Sequence, residues 1–137
     1  MTHAVRDLMT PCPTTVSGAT SIVETARVMR DQDIGAVIVS TSSGPAIVTD
    51  RDLVVRGIAD VEDVRNPVGV VASRDLTTVS PESSVKEAIE LMRERALRRL
   101  VVTEDAHAVG ILSLSDVAVE HAPRSTLGEI SKAVPNR

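Results

Sequence analysis

Residues 15–39 read TVSGATSIVETARVMRDQDIGAVIV, and residues 78–102 read TVSPESSVKEAIELMRERALRRLVV. The two stretches align without a gap at an offset of 63 residues, and eight of the 25 positions are identical. One additional residue in the second copy changes the offset to 64, so that residues 47–53 (IVTDRDL) lie over residues 111–117 (ILSLSDV). Because duplicated units usually pack against each other, the repeat predicts two related halves with the functional site where they meet.

Each copy has the same predicted order of strands and helices. A short strand comes first, followed by a helix with Ser21 or Thr20 as N-cap and Glu24 at the capping-box position after Ser21, and Ser84 and Glu87 repeat this spacing. The predicted apolar faces of these helices are Ile22, Ala26 and Met29 in copy one and Val85, Ile89 and Met92 in copy two. The predicted β-α-β-β-α units then continue with strands at residues 36–39 and 46–48 and a helix at 50–58, and with strands at 100–102 and 109–112 and a helix at 115–120.

The repeat predicts a division of the chain into four parts. The first repeat is expected at residues 1–60, a connector at 61–74, the second repeat at 75–122 and a C-terminal tail with a short helix at 123–137. The connector contains Glu62, Asp63 and Asn66-Pro67, and one short helical turn is expected there. A length of 137 residues with 42% hydrophobic residues suits one compact domain or two half-domains that share a core.

The composition argues against several classes of partner. The chain has no Phe, Tyr or Trp and a formal net charge of −4, whereas nucleic-acid binders normally combine a basic face with aromatic platforms. No nucleic-acid partner is therefore expected, and a bound purine would have to lie against aliphatic side chains and peptide planes. The longest uncharged run, residues 34–49, is too polar to span a bilayer, and no signal-peptide pattern follows Met1. A cytoplasmic protein with no membrane partner is expected.

The remaining reactive side chains show no pattern typical of catalysis or metal binding. Cys12 is the only cysteine, and it is interpreted either as a small apolar filler or as a redox-sensitive or intersubunit thiol. The three histidines are scattered and show no zinc-ligand spacing. No Ser-His-Asp order, paired carboxylate cleft or glycine-rich phosphate loop is present. The chain is therefore expected not to be an enzyme and to have no cofactor or metal.

The duplicated strings resemble a known family. Two β-α-β-β-α units, one with GILSLSD at residues 110–116 and one with IVTDRDL at residues 47–53, resemble a tandem pair of CBS (cystathionine β-synthase) domains, also called a Bateman module. The strings at residues 33–36 and 98–101 are similar to those of small, stand-alone actinobacterial hypoxia-response CBS proteins. The resemblance covers residues 7–121 and implies an α/β (α+β) fold of duplicated CBS repeats packed about a pseudo-two-fold axis. It also implies a homodimer, for which the helices at residues 54–55 and 117–119 offer apolar surface.

In that family a glycine, two apolar residues, a Ser or Thr, two variable residues and an Asp form a nucleoside site at the mouth between the repeats. The resemblance implies that Asp52 and Asp116 accept hydrogen bonds from ribose hydroxyls, beside Thr49 and Ser113 at a positive helix N-terminus. The alternative is that these residues only cap their helices, each contributing about 0.5–2 kcal/mol. The occurrence of the pattern in both copies favours the nucleoside site.

The copies differ in what they offer a phosphate. Arg98 and Arg99 precede a strand of copy two, and the SLSD string at residues 113–116 resembles a nucleotide-binding repeat in the gamma subunit of AMP-activated kinase, in which a basic pair at this place reaches the phosphate. The alternative is a solvated arginine pair bonded to neighbours such as Glu94 or Asp105.

Copy one offers fewer cationic side chains to a phosphate. It has Arg51 inside its motif, but Ala46 stands where copy two has Gly110. Unequal sites are therefore predicted, with the Asp116 site favouring AMP, ADP or ATP and the Asp52 site weaker or empty.

The predicted ligand-binding residues fall into one set for each copy. They are Thr15, Val16, Thr49, Arg51 and Asp52 in copy one, and Thr78, Val79, Arg98, Arg99, Ser113, Ser115 and Asp116 in copy two. Nucleobase pockets are expected at residues 14–16 and Val37, and at residues 77–79, Leu100 and Ile111, although core burial also explains the apolar members. The predicted function is regulatory adenosine-nucleotide binding that acts on a partner protein in trans, and the alternative is a ligand-free structural or interaction dimer with vestigial sites.

Overall fold

The structure, a computed structural model, describes residues 3–74 and 76–121, with side chains up to residue 118. The tail helix predicted at residues 123–137 lies outside this range. The described residues belong to two compact units that do not follow the order of the chain. One unit is Thr14–Leu76, and the other combines Met1–Pro13 with Thr77–Arg137 as far as these segments are described. Each unit has its own sheet and its own apolar core.

The order of elements confirms the β-α-β-β-α unit in both copies. Predicted and observed ends differ mainly in that the central strands are longer than the apolar runs that predicted them. In chain order the elements are α1 (Val5–Leu8), β1 (Thr10–Pro11), β2 (Thr15–Ser17), α2 (Ile22–Gln32), β3 (Ala36–Thr41), β4 (Gly44–Thr49), α3 (Asp50–Asp52) with a π-helix (Leu53–Val61), a 3-10 helix (Val68–Val70), β5 (Thr78–Val79), α4 (Val85–Arg95), β6 (Arg99–Glu104), β7 (His107–Ser113) and α5 (Leu114–His121).

The two sheets repeat the same topology. In the unit Thr14–Leu76 the strand order is β2-β3-β4, with β2 parallel and β4 antiparallel to the central β3. In the other unit the order is β1-β7-β6-β5, with β5 parallel and β7 antiparallel to β6, and β1 adds an antiparallel edge to β7. The register is also duplicated, since Thr15 pairs with Ile38 and Thr78 pairs with Val101 at the same offset of 63.

Helices α2 and α4 begin at the predicted caps. Ser21 Oγ accepts the backbone N–H of Glu24 at 3.1 Å, and Ser84 Oγ accepts that of Glu87 at 3.1 Å. The predicted apolar face of α2 was wrong at one position, because Ala26 is exposed and Thr25 is buried. The Thr25 hydroxyl donates to the carbonyl of Ser21 at 2.9 Å, which removes the cost of burying it.

The segment that precedes each repeat packs in the unit built from the other repeat. The backbone N–H of Val5 donates to the carbonyl of Ser83 at 2.8 Å, and that of Val68 donates to the carbonyl of Thr20 at 2.7 Å. Both valines have no exposed surface and belong to the apolar cores of their units. Both pairs are related by the offset of 63, so the duplication extends upstream of residue 15.

The last helices of the two copies differ in how far these apolar side chains are exposed. Val54 and Val55 are 56% and 43% exposed, whereas Val117 and Ala118 are buried. Val117 belongs to the core of its own unit, so the expected apolar surface at residues 117–119 was wrong for these two residues, and the side chain of Val119 lies outside the described range. No helix among the described residues is long and apolar enough to span a bilayer.

Candidate functional site

The predicted hydroxyl–carboxylate pairs come together in both units. The Thr49 N–H donates to Asp52 Oδ2 at 2.9 Å, and the Asp52 N–H donates to Thr49 Oγ1 at 3.2 Å. In copy two the Ser113 N–H donates to Asp116 Oδ2 at 2.9 Å, and the Asp116 N–H donates to Ser113 Oγ at 3.1 Å. Each strand end therefore passes into its helix through the same reciprocal capping box.

The capping hydrogen bonds use only some of the donors and acceptors of each hydroxyl–carboxylate pair. One oxygen of each carboxylate accepts the backbone N–H, which leaves Oδ1 as an acceptor, and each hydroxyl that accepts an N–H still has its own proton to donate. Asp116 Oδ1 has no hydrogen bond or ion pair to another described residue, and both aspartates are only half-buried. The capping role is therefore observed, and it is compatible with hydrogen bonds to a ligand.

The arginine pair of copy two lies beside its capping box. Arg99 is directly opposite Ser113 in the β6–β7 ladder, and the N–H of Leu114 donates to the carbonyl of Arg98 at 2.8 Å. Side chains at directly opposed positions of antiparallel strands have Cβ atoms about 4.5–5.5 Å apart. Both arginines are exposed, and within the described part of the chain neither forms an ion pair with Glu94 or Asp105.

Copy one has the same backbone arrangement without the arginine pair that precedes the strand in copy two. Ala36 is opposite Thr49, and the N–H of Asp50 donates to the carbonyl of Gly35 at 3.0 Å. Arg51 is exposed on the first helical turn, as is Ser115 in copy two. The two strand ends therefore present the same hydroxyl and carboxylate but differ in the charge next to them.

The short first strand of each repeat starts at the end of the sheet, along the strand direction, where the capping box lies. The parallel pairs β2–β3 and β5–β6 begin at this end of the sheet, and the antiparallel β4 and β7 stop there. Thr15 and Thr78 are exposed near this end, and Val16 is half-buried.

The apolar residues predicted to line a base are less accessible. Val37 and Leu100 have no exposed surface and Val79 has 9%, whereas Ile111 is half-buried. As core members, Val37 and Leu100 offer no surface to a base in this arrangement.

Gly110 has a packing reason that the sequence did not indicate. A Cβ atom at this position would lie 3.1 Å from Met9 Cγ and 3.1 Å from the carbonyl oxygen of Thr10. The glycine therefore admits the N-terminal segment against β7. The difference between Gly110 and Ala46, which entered the prediction of unequal sites, is explained without a ligand.

Sequence reasoning missed one charged neighbour of copy one. Arg56 follows Asp52 by one helical turn, and its Nη1 atom lies 4.0 Å from Asp52 Oδ1, the oxygen that the cap leaves open. The i, i+4 spacing of these residues was the available signal. Copy two has Glu120 at the corresponding position of the sequence.

Metal ligands do not cluster in the described residues. No group of three or more His, Cys, Asp or Glu side chains within residues 3–74 and 76–118 is arranged to hold a metal ion. Cys12 is exposed, with a φ of 50°, and its N–H donates to the carbonyl of Val109 at 3.2 Å.

Comparison with known proteins identifies the family. The family model described as "CBS domain" matches residues 5–66 and 61–120. The CBS domain-containing protein YhcV of Bacillus subtilis is 33% identical over 126 residues, which cover 91% of this chain and 90% of that protein. Hypoxic response protein 1 of Mycobacterium tuberculosis is 30% identical over 132 residues, which cover 94% of this chain and 92% of that protein.

Solved structures show the same fold. A crystal structure of Hypoxic Response Protein I with two coordinated zinc ions superposes with a TM-score of 0.74 at 29% identity, covering 88% of this chain and 100% of that chain. The CBS domain pair of protein MJ0100, in complex with 5′-methylthioadenosine and S-adenosyl-L-methionine, superposes with a TM-score of 0.79 at 19% identity over 91% of this chain and 100% of that chain, a likeness of fold alone. With two matching segments and this duplicated architecture, the chain belongs to the CBS domain family and carries two CBS domains in tandem.

Proposed function

We propose that this protein is a regulatory module that binds an adenosine nucleotide such as AMP, ADP or ATP and acts on a partner protein in trans. The observation that carries the proposal is the reciprocal cap of Ser113 and Asp116, which leaves Asp116 Oδ1 and the Ser113 proton for a ligand. A carboxylate oxygen with lone pairs to spare can accept bonds from vicinal ribose hydroxyls. The adenosine ligands of the MJ0100 CBS pair belong to the same chemical class.

The two capping boxes are proposed to differ in affinity. Arg99 lies opposite Ser113 and supplies a cation for a phosphate beside Asp116, whereas Ala36 holds that position in copy one. The Asp116 site is therefore the stronger nucleotide site, and the Asp52 site is weaker or empty.

We also propose a binding role without catalysis, which the same residues support. The open groups at each cap are a carboxylate acceptor, a hydroxyl and, in copy two, arginines. These groups can recognise a nucleotide but provide no activated nucleophile.

A homodimer is proposed through Val54, Val55 and Ile58, whose side chains are 56%, 43% and 57% exposed. Sedimentation as a monomer at micromolar concentration would refute the dimer.

Thermal unfolding with candidate ligands tests the nucleotide proposal. The purified protein is titrated with AMP, ADP, ATP, S-adenosylmethionine and NAD at constant ionic strength. Saturation at 100 times the dissociation constant stabilises the folded state by about 2.7 kcal/mol, which raises the melting temperature by several degrees. If no ligand raises it at millimolar concentration, the nucleotide proposal fails and a ligand-free interaction protein takes its place.

A further inference from the structure

A groove in the unit Thr14–Leu76 carries two arginines from different elements. It has a volume of about 470 Å³ and lies between the π-helix and the segment that follows the connector's Pro67. Its lining residues among those that the structure describes are Arg56, Gly69, Val70, Ala72, Ser73 and Arg74. Two of these six are cationic and none is acidic, which favours an anionic occupant.

One wall of the groove is fixed by backbone hydrogen bonds. Ser73 exchanges two bonds with Ile47, with N···O distances of 2.8 and 3.0 Å, and the N–H of Gly69 donates to the carbonyl of Gly18 at 3.0 Å. These bonds tie the wall to β4 and to the turn after β2. The wall is therefore held in place before any ligand arrives, which lowers the ordering cost of binding.

The opposite wall provides a guanidinium that has capacity to spare. Arg56 Nη1 is 4.0 Å from Asp52 Oδ1, beyond hydrogen-bond distance, and 45% of the Arg56 side chain is exposed. A guanidinium has five N–H donors, so this loose contact leaves its planar fork available.

We propose that this groove binds the phosphate group of a small phosphorylated molecule, with Arg56 and Arg74 as a cationic clamp and the Ser73 hydroxyl as a further donor. Arginine forks match phosphate oxygens in two-point bonds, and a hydroxyl can donate the third. Val70 is 57% exposed in the lining and offers apolar contact to the organic part of the molecule. The net charge of −4 disfavours a long polyanion, so the ligand is a small phosphate or phosphate ester.

The site belongs to one repeat only. The positions that correspond to Gly69, Val70, Ser73 and Arg74 at the offset of 63 are Arg6, Asp7, Thr10 and Pro11, and Glu120 corresponds to Arg56. Copy two therefore lacks both members of the arginine clamp. The groove adjoins the Asp52 capping box of copy one, since Arg56 Nη1 lies 4.0 Å from Asp52 Oδ1, whereas Ser113 and Asp116 belong to the other unit.

Amide chemical shifts of the full chain test the proposal. The ¹⁵N-labelled protein is titrated at constant ionic strength with inorganic phosphate, glycerol phosphate and, as a reference anion, chloride. The amides of Val70, Ser73 and Arg74 are expected to shift with saturation for the phosphates and not for chloride. Tighter binding of the ester than of inorganic phosphate identifies a phosphate ester as the ligand class, and the reverse order identifies free phosphate.

Four variants test whether phosphate binds at this groove. Arg56→Gln and Arg74→Gln are each expected to weaken phosphate binding about tenfold, the loss expected for one charge-assisted hydrogen bond. Arg30→Gln is the matched control, since Arg30 lies in the same unit but is bonded to Asp31 at 2.8 Å and is outside the groove. The Asp116→Asn variant is expected to keep phosphate binding at the groove. The proposal is overturned if phosphate shifts none of the groove amides, or if Arg30→Gln weakens binding as much as the groove variants.

Discussion

Met9 occupies the space that a side chain at Gly110 would fill. A Cβ atom on Gly110 would overlap the Met9 sulfur and lie 3.1 Å from Met9 Cγ. The corresponding residues of the other repeat are Ala72 and Ala46, which are both buried in one apolar core. One repeat thus places a long side chain against glycine, and the other has two alanines at the equivalent positions.

Gly110→Ala is expected to destabilise the fold through Met9. Overpacking of a filled position costs about 1–3 kcal/mol, measured as the free energy of unfolding in urea. In a Met9→Ala background the same change is expected to cost at least about 0.5 kcal/mol less, because the double variant reproduces the two alanines of the other repeat. Additive effects of the two substitutions would show that the contact is not what makes Gly110 necessary.

Asp116→Asn is expected to weaken nucleotide binding more than Asp52→Asn does. An asparagine carbonyl can still accept the Ser113 N–H, so the helix cap is retained while the charged acceptor is lost. Loss of hydrogen bonds to a charged group reduces affinity about tenfold or more in calorimetric titration. Asp50→Asn, on the same helical turn as Asp52, is the matched control. Equal losses at Asp52 and Asp116, or a loss at Asp52 alone, would reverse the proposed order of the sites.

Arg99→Gln is expected to separate phosphate recognition from nucleoside recognition. The affinity for ADP and ATP falls about tenfold, because a cation beside Ser113 is removed, while the affinity for adenosine is unchanged. Arg95→Gln, an exposed arginine at the end of α4, serves as the control for net charge. A parallel loss of adenosine binding would indicate that Arg99 supports the fold of the site and does not contact phosphate.

Local spacing predicted the elements and caps that short-range geometry controls. The caps at Ser21 and Ser84 and the pairing of Thr49 with Asp52 depend on residues three apart, which a helix start always brings together. The strands could be predicted from runs of consecutive apolar residues, which is also a pattern of neighbouring positions in the sequence.

Contacts between residues far apart in the chain could not be predicted from such short-range spacing. The docking of Val5 near Ser83 joins residues far apart in the chain, and the segments around Val5 and Val68 share little besides these two valines. Burial of Thr25 in place of Ala26 was missed because hydropathy does not register that its hydroxyl can bond to the carbonyl of Ser21.

Ala96→Gly is expected to stabilise the protein, whereas Ala26→Gly destabilises it. Ala96 ends α4 with a φ of 52°, and the N–H of Leu97 donates to the carbonyl of Met92 at 2.9 Å, as in a Schellman motif. A Cβ atom in this left-handed conformation costs about 1 kcal/mol, which glycine avoids. Ala26 lies exposed inside α2, where glycine costs about 1 kcal/mol relative to alanine. Denaturant unfolding should therefore show opposite shifts of the midpoint for the same chemical change, and a lower midpoint for Ala96→Gly would contradict the left-handed geometry at that helix end.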